Sequence, residues 1–341
     1  MRSIRNKWIS VGVSLISSAG SALGAEALHV YSHRHYEVDQ KVNALFTEKT
    51  GIEVKVVNAE ADQLIERLKS EGKDSPADVL VTVDAARMQR AVEDGLLQPL
   101  KSEILEKATP VALRDAEGHW YPFTLRARGI VVAKDRVKDG EVKDYADLAK
   151  PEWRGRVLAR SSTSGYNQSL LASIIAAEGE QAAEKWAKGV ANNLARPPQG
   201  GDRDQIKAVA AGLADAAITN SYYLGMLLHS TDAEERKAGA AVRMIFPNQS
   251  GRGTHANVSA AGITKHAKHA EAGRKYLEFL VSPEVQKMVA EGSFEHPISM
   301  DLSLGGQVGK WGEFKVDETG FRKLGELSPA ATRIFDRAGW K

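Results

Sequence analysis

The sequence alternates short apolar strands with amphipathic helices, and this alternation constrains its fold more than any other feature. Residues 28–33 predict a strand, and the helix that follows over 38–46 ends at Gly51. Strands are predicted again at 52–57 and at 78–83, and a helical segment follows each of them. Strands that alternate with helices predict a parallel sheet covered by helices on both faces.

The same pattern returns in the second half of the chain. Strands are predicted at 129–133 and 214–219, and helices at 167–177 and 272–281. Two α/β lobes side by side leave a cleft between them. Because ligands of open α/β sheets bind beyond the carboxyl ends of strands, the residues that directly follow strands are the candidates for function.

The first residues differ from the rest and predict a secretory signal peptide at 1–25. Three basic side chains within the first seven residues precede an apolar stretch at 8–23, and small residues follow it. The stretch is short and is broken by serine and glycine, which disfavours the alternative of an uncleaved membrane anchor. Cleavage after Ala25 or Ala27 would release the mature chain into the periplasm of a Gram-negative cell.

Composition limits the chemistry that the mature chain can carry. The sequence has no cysteine, which excludes disulfides, iron–sulfur clusters, cysteine-ligated zinc and thiol nucleophiles. Any metal site is therefore built from histidine, tyrosine, aspartate and glutamate. The 46 basic and 44 acidic residues nearly balance, so no strong field favours nucleic acid or a membrane surface as the partner.

Three turns that carry tyrosine follow predicted strands. They are the segment Tyr31–Tyr36, which also contains two histidines, the turn with Tyr166, and the pair Tyr222 and Tyr223. Taken singly, each turn also fits a simpler alternative: a polar strand end, an ordinary helix N-cap, or one core tyrosine beside one surface tyrosine. Taken together, at the strand ends of one two-lobed protein, they form a joint signal for a binding site.

A cluster of phenol groups favours a hard trivalent cation. The pKa of a free tyrosine is about 10, so only a strong Lewis acid holds the phenol ionised at neutral pH. Fe(III) meets this requirement, whereas Mg(II), Ca(II) and Zn(II) meet it poorly. The absence of cysteine also disfavours soft metals.

Other sequence motifs give weaker indications of function than the tyrosine turns. No Gly-x-Ser-x-Gly, His-Glu-x-x-His or EF-hand motif is present and no catalytic base stands out, so the chain is predicted not to be an enzyme. A tyrosine-ligated metalloenzyme, which needs an open coordination position, is the alternative. His266 and His269 lie among charged residues and are predicted to be solvated on a surface helix.

The tyrosine turns and several other segments resemble one family, the periplasmic ferric-iron-binding proteins of ABC importers. The resemblance covers essentially the whole mature chain. It is strongest to the branch that binds iron mainly through tyrosines without a required synergistic anion. The segments that carry it are Tyr31–Tyr36, Ser75–Val79, Trp153–Arg156, Tyr166–Ser169, Tyr222–Tyr223, Phe246–His255 and Val258–Ser259.

The resemblance implies a ligand set for Fe(III). Matched position by position, the implied ligands are Tyr36, Tyr166, Tyr222, Tyr223 and, as a fifth, His35. Arg126 matches an arginine that, in this family, lies next to the ligands without binding the iron itself. Four phenolates and one Fe(III) sum to −1, and one guanidinium neutralises this charge. The anion-dependent branch supplies a glutamate where this chain reads Val81-Thr82-Val83, which implies a site built from phenolates of the protein.

The resemblance also implies the fold and the partners. The fold class is α/β, in the two-lobed type II form of periplasmic binding proteins, with mixed or parallel sheets and a hinge between the lobes. One lobe comprises 28–125 and 249–299, and the other 126–248 and 300–341. The expected partners are Fe(III), with Fe(II) as a further candidate solute, and an ABC permease with its ATPase; the chain itself is expected to be a monomer. The alternative is a binding protein of the same fold for an organic cation or an oxyanion.

Overall fold

The computed structural model describes residues 27–299 and 302–341, so the predicted signal peptide at 1–25 lies outside the described residues. The strands are β1 (Ala27–Ser32), β2 (Glu53–Asn58), β3 (Val79–Thr82), β4 (Tyr121–Ala133), β5 (Val157–Leu158), β6 (Ala216–Asn220), β7 (Val242–Ile245), β8 (Ala256–Ile263) and β9 (His296–Pro297). The helices are α1 (Glu37–Thr50), α2 (Ala61–Glu71), α3 (Ala85–Glu93), α4 (Glu103–Ala108), α5 (Gly165–Glu178), α6 (Glu180–Asn193), α7 (Asp202–Ala210), α8 (Ser221–Leu228), α9 (Ala233–Ala240), α10 (Ala270–Leu280), α11 (Pro283–Gly292), α12 (Gly306–Trp311) and α13 (Phe321–Ala338). In the described ranges, no helix has the length and apolar character that a membrane crossing requires.

The strands form one mixed sheet in the order β2-β1-β3-β8-β4-β6-β5, and β7 and β9 also pair with β4. Strand β1 runs parallel to β2 and β3, whereas β8 is antiparallel to both β3 and β4. The α/β class and the mixed sheet are confirmed, but the purely parallel sheet that the alternation favoured is wrong. The pairing of β8 with β3 and β4 joins segments far apart in the sequence, so no local pattern indicates it.

The long strand β4 connects the two halves of the sheet. All thirteen of its residues are buried; it pairs with β8 as far as Ala127 and with β6 from Arg128 onward. The sequence predicted only 129–133 as strand, because Arg126 and Arg128 interrupt the apolar run. Side chains alternate along a strand, so these two arginines lie on one face. The predicted lobe boundary at 125/126 lies close to this change of partner, and the division into lobes stays a prediction.

The predicted helices that follow strands are confirmed, with bounds that shift by a few residues. The predicted helix 167–177 is α5, and the predicted helix 272–281 is α10. Helix α1 ends at Gly51, whose φ of 75° is the left-handed conformation that glycine adopts without steric cost. Helix α8 follows β6 with no intervening residue, so the end of this strand and the start of the helix form a rigid corner.

The C-terminal helix α13 packs against α5 and α6 and also contacts α3. Phe321, Ile334 and Phe335 are among its buried residues. Helix α3 follows β3 in the first half of the sheet, and α5 follows β5 in the second half. Helix α13 therefore connects the helical layers that cover the two halves.

Candidate metal centre

Each of the four predicted tyrosine ligands stands at the start of a helix. Tyr36 is the N-cap residue of α1, and its backbone N–H donates to Asp39 at 2.8 Å. Tyr166 is the second residue of α5, and Tyr222 and Tyr223 are the second and third residues of α8. Helix N-termini carry partial positive charge and free N–H groups, so each of these positions favours an anionic side chain.

The phenol groups lie close together. The hydroxyl oxygens of Tyr166 and Tyr222 are 3.4 Å apart, and the ring centroids of Tyr222 and Tyr223 are 4.2 Å apart. Burial and the three neighbouring phenols raise the pKa of Tyr222. Burial is also the largest cause of the raised pKa of Tyr36 and of Tyr223. The structure thus brings together all four tyrosines, and the raised pKa values of Tyr36, Tyr222 and Tyr223 favour their neutral form unless a strong cation displaces the protons.

His35 lies at the rim of this group. Its side chain is exposed, and its ring centroid is 6.2 Å from that of Tyr36. Its Nδ1 is 3.3 Å from the carbonyl oxygen of His33. A cavity of about 100 Å³ lies beside His35 and Tyr36. The role of His35 as a fifth ligand therefore stays a prediction.

A buried glutamate links two arginines beside the phenols. The carboxylate of Glu295 is fully buried, binds the guanidinium of Arg34, and lies 3.9 Å from Nε of Arg126. Arg126 donates from Nη2 to the carbonyl of Val258 at 3.2 Å, whereas its Nε and Nη1 have no hydrogen-bond partner among the described residues. Although burial opposes the charge, Glu295 and the phenols together raise the pKa of Arg126. A permanent positive charge therefore lies next to the phenol groups.

A second buried arginine positions two of the helix starts. Arg128 donates to Asp202 at 2.6 Å, to Asn167 at 2.7 Å and to Asn220 at 3.2 Å. Asn167 lies beside Tyr166 in α5, and Asn220 is the N-cap residue of α8. One guanidinium thus sets the position of both helix starts that carry the clustered tyrosines.

Three guanidinium groups surround the ring of Tyr166. Their Cζ atoms lie 5.4 Å (Arg160), 5.6 Å (Arg128) and 6.0 Å (Arg126) from the ring centroid. Arg126 and Arg128 have buried carboxylates nearby, whereas Arg160 has none within 4.0 Å in the part of the chain that the structure describes. Positive groups stabilise phenolate over phenol. The arrangement therefore suits a solute that converts these phenols into phenolates.

Sequence reasoning missed three buried charged residues: Arg34, Arg128 and Glu295. A signal for Arg128 was present, because two arginines at i and i+2 within an apolar run are unusual for a buried strand. Arg34 stood inside a quoted motif but was given no role. Glu295 gave no local signal, since its partners are distant in sequence.

The predicted surface helix at His266 and His269 is wrong, because both residues lie in the turn before α10. His266 is exposed, as predicted, whereas His269 is partly buried. The carboxylate of Asp78 accepts the backbone N–H of His269 at 2.8 Å and lies 3.1 Å from its Nδ1. These contacts fix the turn, and the helix begins only at Ala270.

Comparison with known proteins identifies the family. Residues 74–312 match the sequence profile of the family described as bacterial extracellular solute-binding protein. The chain belongs to this family. Iron uptake protein A1 of Synechocystis is 46% identical to this solute-binding protein over 342 residues, which cover 98% of this chain and 95% of that protein.

Solved structures agree with this assignment. A Trichodesmium protein in complex with iron and citrate ligands is 47% identical to the solute-binding protein, with a TM-score of 0.88 and coverage of 92% of this chain and 100% of that chain. The ferric binding protein from Campylobacter jejuni is 43% identical, with a TM-score of 0.82 and the same coverage. The fold is therefore the α/β fold of ferric-binding proteins, as the sequence predicted.

Proposed function

We propose that this solute-binding protein captures Fe(III) in the periplasm and delivers it to an ABC-type iron importer. Its proposed ligands are Tyr36, Tyr166, Tyr222 and Tyr223, with His35 at the rim. The observation that carries the proposal is the convergence of four phenols, at three helix starts, beside buried arginines. Loss of four phenol protons creates four negative charges, which the helix starts and the arginines stabilise.

The electrostatics of the site separate Fe(III) from the alternative solutes. Buried arginines beside the phenols repel any cation, and an organic cation is not a Lewis acid that could displace the phenol protons, whereas Fe(III) is. An oxyanion would bind the same arginines without needing ionised tyrosines, so tyrosine substitutions distinguish it from Fe(III). A metalloenzyme needs an open position and an acid–base partner, and four or five protein ligands leave little room for either. The names of the similar proteins, an iron uptake protein and a ferric binding protein, also support Fe(III).

The mechanism that we infer uses the predicted lobes. Tyr166, Tyr222 and Tyr223 belong to the lobe that contains 126–248, whereas Tyr36 belongs to the lobe that contains 28–125. Iron binds first to the three clustered phenols, and Tyr36 then joins them as the hinge closes. The closed monomer is the form that the permease, with its ATPase at the inner membrane, recognises.

A visible absorption titration of the mature protein with ferric citrate tests this proposal. We expect a phenolate-to-Fe(III) charge-transfer band that rises to one equivalent and is strongly weakened in Tyr222→Phe. Tyr31→Phe is the matched control, because Tyr31 lies in the same segment as Tyr36 but donates its hydroxyl to Glu71 at 2.9 Å.

Two outcomes would overturn the proposal. One is the absence of the band in the unsubstituted protein. The other is binding of an oxyanion by the parent protein, with unchanged affinity in Tyr222→Phe. Reduction of the loaded protein with dithionite then tests Fe(II): loss of colour with retention of iron would show that the same site holds both oxidation states.

A further inference from the structure

Two histidines and one aspartate meet near the amino ends of the strands, at the opposite end of β1 from Tyr36. His29 lies within β1, Asp78 directly precedes β3, and His269 directly precedes α10. Tyr36 follows the carboxyl end of β1, whereas this trio lies near the amino ends of β1 and β3. The trio is therefore separate from the proposed iron site.

The carboxylate of Asp78 is completely buried and lacks an ordinary charged partner. Its Oδ2 accepts the backbone N–H of His29 at 2.9 Å, and its Oδ1 accepts that of His269 at 2.8 Å. Oδ2 also lies 3.1 Å from Nδ1 of His269, whereas Oδ1 keeps a second lone pair. Among the described residues no lysine or arginine lies within 4.0 Å of this carboxylate, and its side-chain partners are the two imidazoles. Buried carboxylates are normally paired with a cation or bound to a metal.

The spacing of the three side chains matches that of metal ligands. Oδ2 of Asp78 lies 3.1 Å from Nδ1 of His269 and 3.6 Å from Nδ1 of His29, and the donor atoms all lie within 4.8 Å of one another. Ligands bound tetrahedrally to Zn(II) at about 2.0–2.1 Å are about 3.4 Å apart. The buried Nδ1 of His29 has no hydrogen-bond partner in the described part of the chain.

The two imidazoles of the trio are partly exposed. The side chains of His29 and His269 are each 35% exposed, while that of Asp78 is 0% exposed and Nδ1 of His29 is buried. Two imidazole nitrogens and one carboxylate oxygen suit divalent ions of intermediate softness, of which zinc is a common example in proteins.

We propose that His29, Asp78 and His269 form a second metal site that binds a divalent transition metal ion of the Zn(II) class. This site goes beyond the proposed iron function and does not depend on it. The two sites differ in chemistry, since phenolates take a hard trivalent ion and imidazoles take a softer divalent one.

Zn(II) itself is the probe, and competition with a chromophoric zinc chelator is the assay. The assay uses the mature protein with the substitutions Tyr222→Phe and Tyr223→Phe. Zinc binding is then measured without an intact tyrosine cluster, so the result is independent of iron binding. We expect one equivalent of bound zinc, and a loss of zinc affinity of at least about tenfold in His29→Gln and in His269→Gln.

Two histidines provide matched controls for the zinc titration. His266 is exposed and lies three residues before His269. His119 pairs with Asp115 at 2.9 Å, and among the described residues no second histidine joins them to form a cluster of metal ligands. His266→Gln and His119→Gln should leave the zinc affinity unchanged. Asp78 is not substituted, because its carboxylate also holds two backbone N–H groups.

The melting temperature provides a second, independent measurement of zinc binding. Zinc should raise the melting temperature of the protein with both histidines and should not raise it in His29→Gln, because a ligand that binds the folded state alone stabilises it. Absence of zinc binding, or equal zinc affinity in the His29 and His269 variants and their parent, would overturn the proposal. In that case the imidazole of His269 only forms a hydrogen bond with Asp78.

Discussion

Replacement of Arg126 by glutamine removes a buried positive charge beside the proposed iron ligands. Four phenolates and one Fe(III) sum to −1, and Cζ of Arg126 lies 6.0 Å from the ring centroid of Tyr166. If the guanidinium and the −1 charge are about 6 Å apart, opposite unit charges in a medium with an effective dielectric constant of about 20 attract by about 2.8 kcal/mol. We therefore expect Arg126→Gln to lower the affinity for Fe(III) by about a hundredfold.

The environment of Arg126 supports an effect of this size. The residue is 1% exposed, so water and salt screen its charge little. Its loss also leaves Glu295 with Arg34 as its one nearby guanidinium. The extra negative charge opposes ionisation of the phenols, so both consequences weaken iron binding.

Competition with citrate, followed through the phenolate-to-Fe(III) band, measures this loss. Arg126→Lys is the control, because it keeps the positive charge while changing its shape, and it should lose no more than about tenfold. Thermal unfolding of the iron-free variants checks that each is folded. The reasoning is refuted if Arg126→Gln binds iron within about threefold of the parent, or if lysine is as harmful as glutamine.

Four further expectations follow from the same structure. Arg160→Gln should weaken iron binding by about tenfold or less, and less at high salt, because this guanidinium is partly exposed. His35→Ala should cause a modest loss in the same citrate competition, since the four phenols remain. Tyr36→Phe should keep a charge-transfer band from the other phenolates but block closure, so small-angle scattering of the iron-loaded variant should match the iron-free protein. Burial lowers the pKa of His255 to about 3. Between about pH 6.5 and pH 3 only the unfolded chain therefore takes up this proton, and the free energy of unfolding should fall with decreasing pH by up to about 1.4 kcal/mol per pH unit. Urea unfolding at several pH values should show that the free energy of unfolding depends less on pH in His255→Gln.

The local parts of the site could be predicted from the sequence. Each tyrosine turn is a strand end followed by a helix start, and hydrophobic periodicity with a stop signal such as Gly51 indicates both. Phenol groups grouped at such turns also indicate the class of ion. These inferences need only short windows of sequence, and Tyr166, Tyr222 and Tyr223 do meet at two adjacent helix starts.

The supporting charges could not be predicted in the same way. Glu295 meets Arg34 across more than half of the chain, and Arg128 meets Asp202 through the pairing of β4 with β6. Such contacts depend on strand order, which a single sequence does not show. The extent of β4 was also hidden, because buried arginines contradict the apolar pattern by which a buried strand is recognised.

The charge balance around the tyrosines indicates how one site can be stable with and without iron. Six charged groups beside the phenols pair with one another, three positive and three negative: Arg34, Asp39, Glu295, Arg126, Arg128 and Asp202. With neutral phenols the empty site therefore carries no excess buried charge, which would be costly. The proposed ferric site carries a charge of −1, which Arg126 attracts and which a cation outside these pairs can attract further. Arg160, with its Cζ 5.4 Å from the ring centroid of Tyr166 and partly exposed, is in position to offset it, since an exposed cation costs little when iron is absent.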